Sequence, residues 1–313
     1  MLRIATACHW RCGDGGGGSD ERGEALRPWL VRFVLDQNAF DPRDRRGAQL
    51  RVEVVRKHLA SRPVDRLFAD AGLAALYDQF CSRGQRPDFD FYLPLVMSAG
   101  SVLDVGCGTG ALLKEARDSG HAGRLCGLDP AAGMLAQARK RSDIEWISGD
   151  LASTGWDGEF DLVVMTGHAF QVLIDDDELH RSLVAIRSAL TDNGRFVFET
   201  RNRLARAWDG WTAENPVEFA DSEGVKVRMT RRVTAAVDDR LVSFTHTFTS
   251  PRWHQPQVSA STLRFFDAAS LLPFLVDAGF SIEEQFGDWN RTPVTAMSPE
   301  IITIARRDAT IRV

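Results

Sequence analysis

Lysine is scarce in this sequence: four residues (Lys57, Lys114, Lys140, Lys226) stand among 38 basic ones. That arginine bias reads as the coding habit of a GC-rich genome and carries no function by itself. A disulfide framework is missing too. Five cysteines (Cys8, Cys12, Cys81, Cys107, Cys126) are odd in number and scattered. The close pair Cys8 and Cys12 has no second pair or histidine at zinc-ligand spacing. Free thiols in a reducing compartment are expected. No run approaches the ~20 apolar residues of a membrane-spanning helix. Behind Arg3 there is no apolar stretch of signal-peptide length. A cytoplasmic protein is expected. No Ser/His/Asp order, metal-ligand grouping or P-loop is present, which sets those chemistries aside.

The chain of 313 residues is 44% hydrophobic and 26% charged, ordinary values for a globular protein with a substantial core. A net charge of −5 gives no reason to expect a nucleic-acid backbone or an anionic membrane as partner. Residues 1–62 differ from the rest: glycines crowd Gly13–Gly18, and only two weak amphipathic patterns occur, Leu26–Phe40 and Leu50–Leu59. A poorly ordered or loosely helical extension is expected there.

From Arg66 the texture changes. Leu67–Phe80 suits a helix, and strands and helices then alternate. Strands are expected at Ser101–Val105, Arg124–Leu128, Ile144–Ile147, Phe160–Met165 and Arg195–Thr200, with helices at Ala111–Arg117 and Gly133–Lys140. Leu179, Leu183, Ile186 and Leu190 mark one face of another helix, with Asn193-Gly194 as its stop signal. Such alternation implies a parallel sheet covered on both faces. The pattern breaks near Arg203. Val225–Val237 and Leu241–Phe248 read as strands of a half-exposed antiparallel sheet, and Thr262–Phe266 as a further strand. A helix at Ala268–Ala278 and strands at Phe280–Phe286 and Glu300–Arg306 close the chain. The expected organisation is an extension (1–62), an α/β core (63–202), a β-rich insertion (203–261) and the rest of the core (262–313).

The segment Leu103-Asp104-Val105-Gly106-Cys107-Gly108-Thr109-Gly110 sits where a strand turns into a helix, and glycines there let a ligand press against bare backbone. Gly106, Gly108 and Ala111 also satisfy a dinucleotide fingerprint, which leaves the loop ambiguous by itself. Three acids separate the alternatives. Asp104 at its strand end suits an ammonium group and would repel a pyrophosphate. Asp129, 19 residues after Gly110, can accept from two ribose hydroxyls. Asp150 follows the third strand and can accept from an adenine amino group. Each acid alone can equally be a helix cap or a loop charge; together they describe S-adenosylmethionine (SAM).

The strings VLDVGCGTGALL, GLDPAAGML, GDL and FDLVVMTGHAFQVL, with LTDNGRFVFET and the terminal VDAGF, resemble class I SAM-dependent methyltransferases of the small-molecule type. The resemblance covers about residues 64–202 and 262–307. It implies a Rossmann-like, seven-stranded, mostly parallel sheet whose last strand is antiparallel, here with an antiparallel β-rich insertion. It also implies site roles. Asp104, Gly106 and Gly108 would contact the methionine portion, Asp129 the ribose, and Met134, Asp150 and Leu151 the adenine, with Cys107 and Pro130 also among the cofactor-binding residues. Met165, Thr166 and Gly167 would line the methyl-donor mouth, and Tyr77 resembles a lid tyrosine.

Methyl transfer needs a nucleophile aligned and stripped of water, and a dedicated base is optional. His168 at the mouth is the candidate to orient or deprotonate an acceptor; the alternative is a structural histidine bonded to a loop carbonyl. Glu199 and Arg201 face the acceptor or pair with each other. Trp211, Trp253 and Trp289 suggest an aromatic cap, or ordinary core filling. His246 alternates with apolar residues and reads as a packed core histidine. The Asn/Asp-Pro-Pro-aromatic motif of enzymes that methylate DNA adenine or peptide glutamine is absent. The expected activity is methyl transfer to an oxygen or nitrogen of a small organic acceptor, by a monomer or a homodimer. A degenerate SAM-binding interaction partner and a nicotinamide oxidoreductase stay open as alternatives.

Overall fold

A computed structural model describes residues 63–308 apart from 238, with Val237 described by its backbone alone. The extension expected at residues 1–62 lies outside the described residues. The described chain begins with short helices α1 (Arg66–Ala69), α2 (Ala71–Ala74) and α3 (Tyr77–Phe80). The single helix expected at Leu67–Phe80 is broken because Asp70 turns extended and caps α2, accepting from the amides of Gly72 and Leu73. Helix α4 (Asp88–Ser98) follows, with Pro94 inside it. That proline and a dense apolar content hide its period in the sequence.

Strands β1 (Ser101–Val105), β2 (Arg124–Asp129), β3 (Glu145–Ser148), β4 (Phe160–Met165) and β5 (Leu190–Arg201) alternate with α5 (Ala111–Asp118), α6 (Ala132–Ala138) and α7 (Asp176–Ala189). They join β10 (Phe280–Phe286) and β11 (Glu300–Arg307) in one sheet of order β10-β11-β5-β4-β1-β2-β3. Six strands are parallel, and β11 runs antiparallel to both neighbours, as the resemblance implies. Helix α8 (Ala268–Asp277) precedes β10. A separate antiparallel sheet holds β6 (Val217–Ala220), β7 (Lys226–Val237), β8 (Leu241–Thr249) and β9 (Gln257–Arg264) in that order. The strand expected at Thr262–Phe266 therefore lies earlier. On β8, Val242, Phe244 and Phe248 are buried, as the alternation predicts.

Helix α7 starts where Asp175 accepts from the amides of Asp177 and Glu178, and three acids in its first turn suit the helix dipole. It ends at Ala189 because Leu190 is already extended, so Asn193-Gly194 is not its stop. Gly194 instead lies within β5, where a Cβ would come 3.0 Å from the Phe160 carbonyl oxygen.

The sheet separates two cores. Leu103, Val163, Phe196 and Phe198 pack against Leu179 and Leu183 of α7 and Leu271 of α8. Their neighbours Val102, Val164, Val197 and Ile302 pack on the opposite side, with Phe89, Tyr92 and Val96 of α4 and Leu112 of α5. Strand alternation continues this second row to Asp104, Glu199, Arg201 and Glu300 at the carboxyl edge of the parallel strands. Between β1 and β4 the strand order reverses, the place where open α/β sheets receive ligands.

Candidate active site

The β1–α5 turn is shaped by glycine. Gly106, Gly108 and Gly110 have φ of 73°, 58° and 75°, a region costly to other residues. A Cβ on Gly110 would fall 2.2 Å from Trp146, whose indole nitrogen is fixed by a bond to the Arg141 carbonyl. At Gly108 a Cβ would meet only the Met134 methyl, at 3.8 Å. Its backbone thus faces open space. The turn is held to β2, where the amides of Gly106 and Cys107 donate to the Leu128 carbonyl. Asp129 accepts from Gly108 N (2.8 Å) and Ala131 N (2.7 Å), and Thr109 Oγ1 donates to Asp78 at 2.7 Å.

Asp104 is 1% exposed, and its Oδ1 has no hydrogen-bond partner among the described residues. Burial pushes its pKa up to about 7, opposed by the nearby Arg86 guanidinium. Arg86 pairs with Asp88 at 2.6 Å and stacks over the Phe89 ring at 4.4 Å. An unsatisfied buried carboxylate oxygen is rare in a native fold and asks for a donor. A carboxylate and a guanidinium beside one glycine turn match the ammonium and carboxylate ends of an amino acid. With the open backbone of Gly108 on the same turn and Arg86 beside Gly167, these residues fit the methionine portion of SAM.

On the adenine side, Leu151 and Met134 are buried, and Asp150 acts as a cap, accepting from Ser153 N within a capping box. Asp129 retains lone pairs beyond its two backbone bonds. Pro130, next to it, is exposed. Met165 and Thr166 are buried at the end of β4. Gly167 and His168 follow with φ of 66° and 65°.

For His168, a residue with a Cβ, that conformation is uncommon and strained. Its amide donates to Glu199 Oε1 at 2.7 Å, and its Nε2 lies 3.0 Å from both oxygens of Glu300. The ring thus meets a carboxylate rather than a loop carbonyl. Glu199 is fully buried and accepts from the Tyr92 hydroxyl with its other oxygen. Burial raises the Glu199 pKa, and burial with the Glu199 charge raises that of Tyr92, which keeps the phenol protonated as donor. Glu199 and Arg201 do not pair with each other: Arg201 Nη1 donates to Gln171 at 2.8 Å.

The tryptophans do not form one cap. Trp211 joins Trp208, Phe244 and Phe265, 5.5 Å from the Arg201 guanidinium. Trp253 packs with Val227, Met229 and Phe248. Trp289 lies behind Tyr92 at 6.2 Å. Tyr77 is half-buried against Phe68 and Phe80, and burial raises the pKa of its hydroxyl, with the nearby Cys81 adding to the shift. Arg86, Tyr92 and Glu300 are functional positions that the sequence reading misses. An arginine two residues ahead of a helix and a glutamate opening the last strand carry no local motif; the strand register, which sets Glu300 opposite Arg201, brings in the glutamate.

A methyltransferase-domain family model matches residues 102–194. A cypemycin N-terminal methyltransferase from a Streptomyces species is 26% identical over 224 residues, 66% of this chain and 83% of that protein. A SAM-dependent methyltransferase from Clostridium acetobutylicum superposes with TM-score 0.60 at 17% identity, covering 76% of this chain and 98% of the other. The SAM-bound amino pentose methyltransferase from Micromonospora echinaspora gives TM-score 0.53 at 21% identity, covering 70% and 90%. The two structures share the fold. Among the described residues no helix is long and apolar enough to cross a membrane. With its glycine turn and its single antiparallel strand β11, the described chain has the fold of these SAM-dependent methyltransferases, and residues 102–194 match a methyltransferase domain.

Proposed function

We propose that this enzyme methylates an oxygen or nitrogen of a small organic acceptor held between the carboxyl edge of the seven-stranded sheet and the inward face of the β6–β9 sheet. The observation that carries the cofactor assignment is the orphaned Asp104 oxygen beside the open face of Gly108. Asp104 takes the ammonium of the methionine portion, Arg86 its carboxylate, Asp129 the ribose hydroxyls, and Met134 with Leu151 the adenine faces. Bound SAM supplies an electrophilic methyl group on a sulfonium. Each assignment uses a group whose chemistry complements the ligand atom it faces.

His168 is the base. Glu300 in its ionised form only accepts, so the imidazole proton belongs on Nε2 and the Nδ1 lone pair is free for the acceptor's proton. Glu199, held by Tyr92, fixes the His168 backbone and thereby the ring. A base oriented by a carboxylate is the arrangement used for many activated nucleophiles. A nitrogen acceptor has support from the relative named as an N-terminal methyltransferase. The unpaired thiols of Cys81, Cys107 and Cys126 support a cytoplasmic location.

The test is release of S-adenosylhomocysteine (SAH) from SAM by purified enzyme across a panel of amines, alcohols and phenols. Acceptor-dependent release that is lost in His168→Gln supports the assignment. SAH binding with no turnover on any acceptor would support a degenerate binding protein. NADH binding without SAM binding would support an oxidoreductase.

A further inference from the structure

Two guanidinium groups near the proposed acceptor position have no carboxylate partner within ion-pair reach among the described residues. Arg201 bonds to the neutral amide of Gln171, whose own nitrogen is spent on the Arg264 carbonyl at 2.8 Å. The Arg231 side chain, on β7, makes no hydrogen bond or ion pair to a described residue; its guanidinium lies 5.9 Å from the Trp211 ring, which Arg201 also faces. One indole therefore has two cations over it. His246 stands directly across the ladder from Arg231, and its Nδ1 is buried without a partner. Around His246 are Phe244 and Phe248 on its own strand, Ser259 across from it on β9, Arg231 on β7, and Arg201 near enough for its charge to be felt. Burial and the two arginines hold the His246 pKa down to about 3. Burial also lowers the pKa of both arginines.

Arg201 feels the charges of Glu300 and Glu199 but makes no ion pair with either; buried cations left unpaired are costly, and native folds pair them. Two such groups plus an unsatisfied imidazole nitrogen on facing elements therefore mark a place for an anion. The cofactor's own carboxylate does not fill it. The cofactor residues lie on β1, β2 and β3 with Arg86, whereas Arg201 ends β5 on the far side of β4. The remaining occupant is the acceptor.

We propose that Arg201, Arg231 and His246 form an anion pocket, and that the acceptor carries a carboxylate or phosphate group besides its nucleophilic atom. Arg201, positioned by Gln171, and Arg231 clamp the anionic oxygens, with His246 completing the pocket as a donor. The pocket rests on the acceptor position proposed above.

The experiment follows the His246 imidazole by NMR in the full-length enzyme with SAH bound, assigned through His246→Gln. Inorganic phosphate and acetate are titrated separately at constant ionic strength. A saturable shift of the His246 signal, with its pKa rising on binding, is expected from at least one probe. Phosphate alone would mark a phosphate-bearing acceptor, acetate alone a carboxylate-bearing one. Arg231→Gln should weaken the responding probe by roughly 10-fold or more, the value of a charge-assisted bond, with Arg231→Lys between it and wild type. Unchanged SAH affinity in both variants shows that the fold and the cofactor site are intact. If neither probe moves His246, or Arg231→Gln responds like wild type, the anion pocket is wrong. Failure of wild-type enzyme to bind SAH would overturn the cofactor assignment instead, and the probe titration without SAH would still report on the pocket.

Discussion

His168 Nε2 stands 3.0 Å from both oxygens of Glu300, although the two residues are 132 positions apart. The antiparallel course of β11 makes this possible, because it brings the first residue of the last strand to the carboxyl edge where the parallel strands end. The histidine is fixed twice, at the ring by Glu300 and at the backbone by Glu199.

His168→Gln is expected to lower kcat by roughly 100- to 10,000-fold, the usual contribution of a positioned base. Glu300→Gln should lower it less, because the imidazole remains and only its orientation is lost. SAH affinity, measured by calorimetry, should hold in both. A kcat within a few-fold of wild type in His168→Gln would remove the base from the mechanism.

Gly110→Ala tests the turn. The new methyl would enter the space of Trp146 at a backbone angle that penalises any side chain. Left-handed strain and overpacking together cost about 2–4 kcal/mol. Urea denaturation should show a loss of that order, and a neutral result would mean that Trp146 is free to move away.

Asp129→Ala removes the acceptor of two backbone amides as well as the proposed ribose contact. SAH binding should weaken by about 1–3 kcal/mol, the cost of unpaired polar groups. Unchanged affinity would show that the carboxylate serves only the turn.

Asp104→Asn should stabilise the enzyme at alkaline pH while weakening SAH binding. The carboxyl pKa is about 7 when folded and 3.8 in its ordinary state. A raised acid pKa means that the folded form binds the proton more tightly, so its burial costs stability progressively as pH rises from about 4 to 7. The amide removes a penalty on the order of a few kcal/mol at pH 8. A higher Tm than wild type at pH 8, with little gain at pH 4, is the expected pattern. Equal Tm differences at both values would mean that Asp104 is not buried in charged form.

The parallel sheet and the glycine turn were legible because each depends on local rules. Short apolar strands covered on both faces stay apolar throughout, and a strand–turn–helix junction with positive φ leaves little choice but glycine. Three acids at successive strand ends could be read as a set for the same reason. Helix α4 was hidden by Pro94, and the Leu67–Phe80 helix was overestimated because the capping competition of Asp70 leaves no mark on apolar spacing. The acceptor side was the least legible. His246 looked like core filling from its strand alone, and only its pairing with Arg231 shows a polar nitrogen without a partner. The tryptophans expected to share one cap divide among three clusters, because Trp211, Trp253 and Trp289 each sit in a different connection between elements.

The most direct test of the account is the pH dependence of SAH affinity, measured by calorimetry from pH 5 to 8.5 in wild type and Asp104→Asn. Asp104 must be ionised to hold the ammonium, so wild-type affinity should fall roughly tenfold per unit below a pH of about 7. The variant should bind weakly at every pH, without that slope. Wild-type affinity that is flat across the range, or a variant that binds as tightly as wild type, would contradict the assignment of Asp104 to the cofactor's ammonium group.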